Sequence, residues 1–152
     1  MKVLLAAINA KYIHSNLGIY SLKTYGEKML KEWGLAEEAK VSLAEYTINH
    51  QMEQILQDIY KRKPDVIGFS CYIWNIAYVL DLVRDIHKVL PETDIWLGGP
   101  EVSYEAEKIM EQYGRANAET GNGPVIRGII LGEGEKTFCE LAEYYAEEGC
   151  LP

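Results

Sequence analysis

Long hydrophobic runs and patterned cysteines are both absent from this 152-residue sequence. No apolar stretch approaches the roughly 20 residues that are needed to span a membrane. Residues 1–7 superficially resemble a signal peptide, but their short apolar run continues into Asn9, which favours a first β-strand. Cysteines 71, 139 and 150 are odd in number and far apart, which excludes a disulfide framework and metal-ligand spacing. We therefore expect a cytoplasmic protein that has no membrane partner.

Positive charge is scarce. Fifteen lysines and arginines stand against 23 aspartates and glutamates, which gives a formal net charge of −8. A surface of this sign repels nucleic-acid phosphates and anionic lipid headgroups. The composition therefore indicates that nucleic acids are not partners of this chain.

Several motifs that identify common α/β enzymes are missing. No Gly-x-Gly-x-x-Gly follows the first apolar run, so a dinucleotide site would lack its phosphate cradle. The sequence also has no Walker lysine after a glycine loop and no Gly-x-Ser-x-Gly elbow. Asp65 begins its apolar run instead of ending it, which argues against a phosphoacceptor receiver domain. No residue of the chain is therefore assigned a catalytic role.

What the sequence does contain is a regular alternation of apolar runs and helical patterns. The runs predict β-strands at 3–8, 41–46, 65–71, 94–97 and 125–131. The nearly unbroken run at 65–71 is typical of a central parallel strand that is buried on both faces. Right-handed crossovers then predict one α/β domain with a doubly wound, five-stranded parallel sheet. The expected order is 2-1-3-4-5, flavodoxin-like (Rossmann-like), in three α/β/α layers.

Polar residues ahead of the helical patterns are candidate helix caps. The four helices concerned would be capped by Ser15 or Asn16, Asn49, Asn75 and Ser103. Gly26 would let the first helix lie close to the sheet. The polar, glycine-rich segment 114–124 is expected to be a mobile loop.

Four loops should meet at the carboxyl edge of this sheet, where such folds bind ligands. They are 9–17, 71–75, 98–103 and 131–135. Their paired glycines would let the backbone lie against a flat ligand, and their aromatic and small side chains suit a large, partly apolar one. The candidate binding residues are Asn9, Tyr12, His14, Ser15, Ser70, Tyr72, Trp74, Gly98, Gly99, Glu101, Gly132, Glu133, Gly134 and Glu135.

Four segments in order carry a resemblance to a known family. They read NAKYIHS at 9–15, DVIGFS at 65–70, LGGPEVS at 97–103 and GEGEKTF at 132–138. Together they resemble the cobalamin-binding domain that precedes the catalytic domain in many cobalamin-dependent radical S-adenosylmethionine (SAM) enzymes. The resemblance implies a corrin ring over the carboxyl edge and a dimethylbenzimidazole tail beside the sheet.

The resemblance also implies residue roles. Ser70 would line the channel of the tail, Gly98 and Gly99 would let the tail pass, and residues 132–135 would bound the pocket. In the wider fold an Asp-x-His-x-x-Gly histidine ligates cobalt, which makes His14 the candidate cobalt ligand. Tyr12 stands where that aspartate would be and Leu17 where that glycine would be, so the carboxylate that orients the imidazole is missing. We therefore expect the loop to shape the floor of the site whether or not His14 touches cobalt.

The radical domain of such enzymes carries a Cys-x-x-x-Cys-x-x-Cys set for a 4Fe-4S cluster, and this chain has no such spacing. The resemblance thus implies that residues 1–152 are an amino-terminal fragment of a longer enzyme, a methyltransferase or a related enzyme. That parent would also use SAM and a 4Fe-4S cluster, held by a carboxyl-terminal radical SAM domain. Alone, the chain would perform no radical chemistry.

Two other interpretations of the same pattern stay open. One is a non-catalytic, flavodoxin-like sensory or protein-interaction domain, in which the glycine turns serve structure only. The other is a flavin-binding domain, because a flavodoxin-like edge can hold flavin. The three interpretations differ in what binds at this sheet edge: cobalamin, a protein partner or flavin.

Overall fold

The computed structural model describes residues 1–10, 16–115 and 124–149 of the chain. Within these residues the strands are β1 (Lys2–Asn9), β2 (Lys40–Thr47), β3 (Val66–Ser70), β4 (Asp94–Gly98) and β5 (Gly128–Ile130). The helices are α1 (Leu17–Glu32), α2 (Met52–Arg62), α3 (Ile76–Val89), α4 (Pro100–Tyr104), α5 (Ala106–Tyr113) and α6 (Glu135–Glu148). None of the helices in these ranges is long and apolar enough to cross a membrane.

The strands form one parallel sheet in the order β2-β1-β3-β4-β5, which confirms the predicted topology. β3 lies at the centre, as its unbroken apolar run predicted, and β2 lies at an edge. The chain winds in opposite directions from β1 and β3, so the loops after these two strands diverge and open a crevice. The fold therefore places the candidate loops at one edge of the sheet.

Helices cover both faces of the sheet and give the predicted three layers. On one face, Ile19 and Leu30 of α1 and Phe138 of α6 are buried against Val3 and Leu5 of β1. On the other face, the buried side chains of α2, α3, α4 and α5 pack against alternate residues of the strands. The first of these faces contains the site described below.

Gly26 lies close to helix α6, and not to the sheet as the sequence predicted. A Cβ atom on Gly26 would lie 2.7 Å from the ring of Phe138. The glycine therefore lets α1 approach α6, and it is not the sheet that requires it. This contact draws the two helices together over the same face of the sheet.

Only one of the predicted helix caps is confirmed. Asn16 caps α1, because its Oδ1 accepts a hydrogen bond from the backbone N–H of Ile19 at 3.3 Å. Asn49 does not cap α2, whose cap position is Gln51. Asn75 occupies the cap position of α3, but its amide bonds backbone groups outside the helix.

The prediction of one helix starting at Ser103 is wrong. The chain instead forms α4 and α5, which are separated at Glu105. Ser103 lies inside α4, where its Oγ donates to the carbonyl of Gly99 at 3.0 Å. Pro100 starts α4 early because its fixed φ suits a first helical turn.

The fifth strand is also shorter than predicted. The N–H groups of Val125 and Ile126 donate to the carbonyl of Tyr113 at the end of α5, at 2.8 and 3.0 Å, and not to β4. The strand therefore begins only at Gly128. Most of the predicted loop at 114–124 lies outside the described residues.

Candidate functional site

A cavity of about 500 Å³ lies between the sheet and the helix pair α1 and α6. Its volume falls in the range of sites for small molecules. The cavity opens at the carboxyl edge and runs along the sheet from Ser70 down to Val66. These two residues are four positions apart on β3, which is about 13 Å at the rise of a strand. The α1–α6 cavity is thus deep enough to receive an elongated group.

Small residues on three neighbouring strands clear this space. The parallel register aligns Ala7 of β1 with Ser70 of β3 and Gly98 of β4. One step deeper, Gly68 lies between Leu5 and Trp96. Side chains alternate between the two faces of a strand, so all of these positions face α1 and α6. A row of larger residues here would fill the cavity.

The burial pattern of the central strands reflects the same opening. Along β4, Ile95 and Leu97 are buried on the far face, whereas Trp96 and Gly98 remain partly accessible on the cavity face. β3 shows the same alternation from Ile67 to Ser70. A central strand of such a fold is normally covered on both faces. The accessible face therefore marks a space that the chain's own side chains do not fill.

The two adjacent glycines at the end of β4 have different structural roles. A Cβ on Gly98 would lie 3.7 Å from the carbonyl oxygen of Ile130, an ordinary contact distance. Gly99 has φ +104°, and a Cβ there would lie 2.8 Å from the backbone nitrogen of Cys71 and closer still to its carbonyl oxygen. Both glycines line the cavity, but the backbone of Cys71 requires a glycine only at position 99.

The turn between β5 and α6 closes the other side of the cavity mouth. Gly132 adopts φ +66°, and its N–H donates to Ser103 Oγ at 3.4 Å. Glu135 lines the mouth, and its Oε1 accepts a hydrogen bond from Ser21 of α1 at 3.2 Å. Ser103 therefore joins the loops after β4 and β5, and Glu135 joins α6 to α1.

Asn75 organises the loop after β3. It is 1% exposed, and its Oδ1 accepts from the N–H of Tyr72 at 2.7 Å. Its Nδ2 donates to the carbonyls of Ile8 and Ser70 at 3.0 and 3.1 Å. These bonds tie the ends of β1 and β3 together at the crevice. Tyr72 faces the cavity, and its ring stacks on Trp74 with centroids 4.6 Å apart.

Glu45, which the sequence did not single out, bonds residues at the two ends of the first site loop. Its Oε1 accepts from the backbone N–H of Asn16 at 2.8 Å and from Asn9 Nδ2 at 3.3 Å. Its Oε2 accepts from the hydroxyl of Tyr20 at 3.0 Å, a bond that raises the pKa of that tyrosine. One carboxylate thus holds the end of β1 and the start of α1, whose Gly18 lines the cavity.

Glu45→Ala is expected to lower the free energy of unfolding by about 2 kcal/mol, because hydrogen bonds to a charged acceptor are stronger than neutral ones. Urea unfolding of the purified chain measures the change. Glu37→Ala is the control, since the Glu37 carboxylate is exposed and contacts only Lys40 at 3.4 Å among the bonds described. Equal stability of the two variants would contradict the role given to Glu45.

Five large apolar side chains stand exposed around the carboxyl edge, and we call them the apolar rim. The rim comprises Leu17, Ile73, Trp74, Tyr104 and Leu131, all more than half exposed. They follow β1, β3, β4 and β5, so the rim surrounds the cavity mouth. Exposed apolar patches of this kind mark ligand or protein interaction sites.

The structure brings most, but not all, of the predicted site residues to the cavity. Those that line it are Ser70, Tyr72, Gly98, Gly99, Gly132, Glu133, Gly134 and Glu135. Asn9, Trp74 and Glu101 lie at the same edge but are not part of its lining. The predicted residues Tyr12, His14 and Ser15 lie outside the described residues.

Sequence reasoning missed the inner wall of the cavity. That wall includes Val3, Leu5, Ile19, Leu22, Val66, Gly68, Trp96, Ile130, Phe138 and Leu141. Strand alternation could have placed Gly68 and Trp96 on the same face as Ser70 and Gly98. No local pattern indicated that α1 and α6 would leave a gap above that face.

The buried cysteines do not offer a reactive or metal-binding site. Burial raises the pKa of Cys71 to about 12 and that of Cys139 to about 11, so both thiols stay protonated near neutral pH. Among the described residues, no group of three or more histidine, cysteine, aspartate or glutamate side chains could hold a metal ion.

The class of protein now follows from comparison with known families. A family model described as the B12 binding domain matches residues 3–142, and this chain belongs to that family. The match confirms the predicted family and cobalamin as the cofactor. Neither the sensory-domain nor the flavin-binding interpretation is better supported.

Two curated relatives give the context of the family match. The cobalamin-dependent radical SAM methyltransferase TokK of Streptomyces tokunonensis is 28% identical over 79 residues, which are 52% of this chain and 10% of that protein. The hopanoid C-3 methylase of Methylococcus capsulatus is 30% identical over 95 residues, 62% of this chain and 17% of that protein. The chain thus spans less than a fifth of each relative.

A solved structure shows the same fold. It is the cobalamin-dependent SAM radical enzyme OxsB, in a form with aqua-cobalamin and SAM bound. The TM-score is 0.71 at 22% identity, and the match covers 97% of this chain and 19% of that one. The chain therefore resembles the cobalamin-binding module of radical SAM enzymes, as the sequence indicated.

Proposed function

We propose that this chain holds cobalamin with the corrin at the carboxyl edge of the sheet and the nucleotide tail in the α1–α6 cavity. The observation that carries the proposal is the cleared face of β3 and β4. Gly68, Ser70 and Gly98 leave room that side chains would fill, and the cavity is continuous with the sheet edge. The residues that are present therefore fit an elongated tail that ends in an apolar base.

The residue roles follow from this placement. Ser70 and Gly98 would border the tail where it enters, and the turn at 132–135 would bound the other side of the entrance. The apolar rim would receive the flat corrin and the neighbouring part of a longer protein. Trp74, which stands outside the cavity and stacks on Tyr72, belongs to that rim. Asn9 would act through Glu45, since the two side chains are hydrogen-bonded.

We further propose that residues 1–152 form one domain of a longer radical SAM methyltransferase or related enzyme. One curated relative is named as a cobalamin-dependent radical SAM methyltransferase and the other as a methylase, and the chain matches only a small part of each. When bound, cobalamin supplies a cobalt centre that can carry a methyl group. A carboxyl-terminal domain with SAM and a 4Fe-4S cluster would act across the exposed corrin.

A cytoplasmic location suits the free cysteines 71 and 139.

The first site loop gives a prediction about cobalt ligation. We expect His14→Ala to change the dissociation constant (Kd) for cobalamin by less than about threefold, because no carboxylate at position 12 orients the imidazole. An absorbance titration with hydroxocobalamin measures the Kd of both proteins. A large loss of affinity would assign His14 a direct role at cobalt.

A titration with hydroxocobalamin also tests the proposed function itself. We expect saturable changes in the visible spectrum with one equivalent bound, and no saturable binding of riboflavin phosphate in a parallel titration. The same titration of the full-length parent provides the reference, since a neighbouring domain would cover one side of the corrin. Absence of saturable cobalamin binding by both proteins would overturn the proposal.

A further inference from the structure

We propose that the α1–α6 cavity selects among cobamides by the base of their nucleotide tail, and that it favours an apolar benzimidazole over a purine. Cobamides share the corrin and differ in this base. The inference rests on the proposed function, because it assumes that the tail enters this cavity. It adds a ligand specificity that the family match does not contain.

The inner part of the cavity is apolar on every side that the structure describes. The sheet contributes Val3, Leu5, Val66 and Trp96, and the helices contribute Leu22, Phe138 and Leu141. The polar side chains in the lining lie at a strand end, in the loops that follow the strands, in the short helix α4 or at the start of α6. They are Ser70, Tyr72, Ser103, Tyr104, Glu133 and Glu135. Polar contacts are therefore concentrated at the mouth.

The backbone of the sheet offers no free hydrogen-bonding group to a polar base in the inner part of the cavity. β3 pairs with β1 on one side and with β4 on the other over its whole length. Its N–H and C=O groups lie in the plane of the sheet and bond neighbouring strands. A ring lying on this face thus meets Gly68 and the side chains around it, and it finds no backbone donor or acceptor directed toward it.

The polar groups behind the inner wall are already bonded to one another. Trp96 Nε1 donates to the hydroxyl of Tyr145 at 3.2 Å. That hydroxyl donates to Asp94 Oδ2 at 2.6 Å, and Arg127 Nε lies 3.3 Å from Asp94 Oδ1. Burial, helped by the bond to Asp94, raises the pKa of Tyr145, so its hydroxyl keeps its proton. The indole therefore presents its ring, and not its N–H, to the cavity.

The polarity of the base determines how tightly a cobamide binds in an apolar cavity. Dimethylbenzimidazole presents two methyl groups and a carbocyclic edge, all of which gain from apolar burial. Adenine presents two ring nitrogens and an amino group at the corresponding edge, and each loses its water on entry. One buried polar group without a partner weakens binding by roughly tenfold. We therefore expect at least about tenfold tighter binding of cobalamin than of the adenine cobamide.

The test compares the two ligands on wild-type protein and on two variants. Val66→Thr places a hydroxyl in the inner wall at nearly constant volume. Val41→Thr is the matched control, since Val41 is also buried on this face of the sheet but does not line the cavity. Absorbance titrations give the ratio of the two Kd values for each protein. Comparing ratios between proteins cancels the properties of the free ligands.

The expected result is a ratio of at least about ten for wild type and for Val41→Thr, and a ratio several-fold smaller for Val66→Thr. Equal Kd values for both ligands on wild type would overturn the inference and leave the proposed function intact. A ratio that Val66→Thr leaves unchanged would overturn the placement of the base beside Val66. Binding of neither ligand would overturn the proposed function, and this inference with it.

Discussion

Gly98→Val is expected to weaken cobalamin binding roughly 100-fold, because inserting a side chain where a ligand packs costs about 1–3 kcal/mol. The new side chain would enter the α1–α6 cavity at the row of Ala7 and Ser70, where the tail is proposed to pass. Its first carbon would meet Ile130 at 3.7 and 3.9 Å, which the fold accepts. Titration with hydroxocobalamin measures the loss, and urea unfolding measures the stability.

Gly98→Val should lower the affinity for cobalamin without lowering the stability of the fold. Filling an apolar cavity buries the new methyl groups, so the free energy of unfolding should be unchanged or higher. Gly98→Ala is the graded control, and its loss of affinity should be smaller than that of valine. Cobinamide, which lacks the nucleotide base, should lose less affinity than cobalamin does. Unchanged cobalamin binding by Gly98→Val would contradict the placement of the tail.

Gly99→Ala is expected to lower the free energy of unfolding by about 3 kcal/mol or more, through backbone strain and a steric clash. The φ of +104° is unfavourable for alanine, and the new Cβ would lie 2.8 Å from the backbone nitrogen of Cys71. That backbone cannot move easily, because Cys71 N–H donates to the carbonyl of Gly98 at 2.7 Å. Urea unfolding gives the free energy.

Gly34→Ala separates the two causes of this loss. Gly34 also has a positive φ, +75°, but no atom lies within 4 Å of where its Cβ would stand. This variant should lose only about 1 kcal/mol, the usual cost of a left-handed alanine. If Gly99→Ala were as mild as Gly34→Ala, the close approach of Cys71 would not constrain this turn.

The fold was predictable because its signals are local and repeated. The unbroken apolar run at 65–71 indicated a central strand, and glycine pairs marked the strand ends. These features sufficed for the strand order and for the sheet edge that bears the loops. Chain topology then fixed which loops meet, since parallel strands place their carboxyl ends together.

The contacts that the sequence did not reveal are long-range. Asn75 carries the local signature of a helix cap, yet its amide bonds Ile8, 67 residues away. In the sequence Glu45 is an ordinary polar residue of an edge strand. Only the folded structure shows that its carboxylate accepts hydrogen bonds from Asn9 and Asn16. In each case a tertiary partner outweighs the local preference. Positions of this kind require the folded structure.

The glycine pair at the end of β4 illustrates the same limit. The sequence assigned Gly98 and Gly99 one shared role, that of letting the tail pass. In the structure the backbone of Cys71 requires Gly99, and only Gly98 borders the cavity without such a constraint. Two adjacent residues of the same type thus differ because one faces a neighbouring loop and the other faces the cavity.

The most direct test of the tail placement is a methyl NMR titration of the Val- and Leu-labelled chain with hydroxocobalamin. Large shifts are predicted for methyls that line the α1–α6 cavity, namely those of Val3, Leu5, Leu22, Val66 and Leu141. Small shifts are predicted for buried methyls on the opposite face that do not line the cavity, namely Leu4, Val79, Leu82 and Val83. Large shifts confined to the opposite face, or shifts limited to the apolar rim, would contradict the placement of the tail in this cavity.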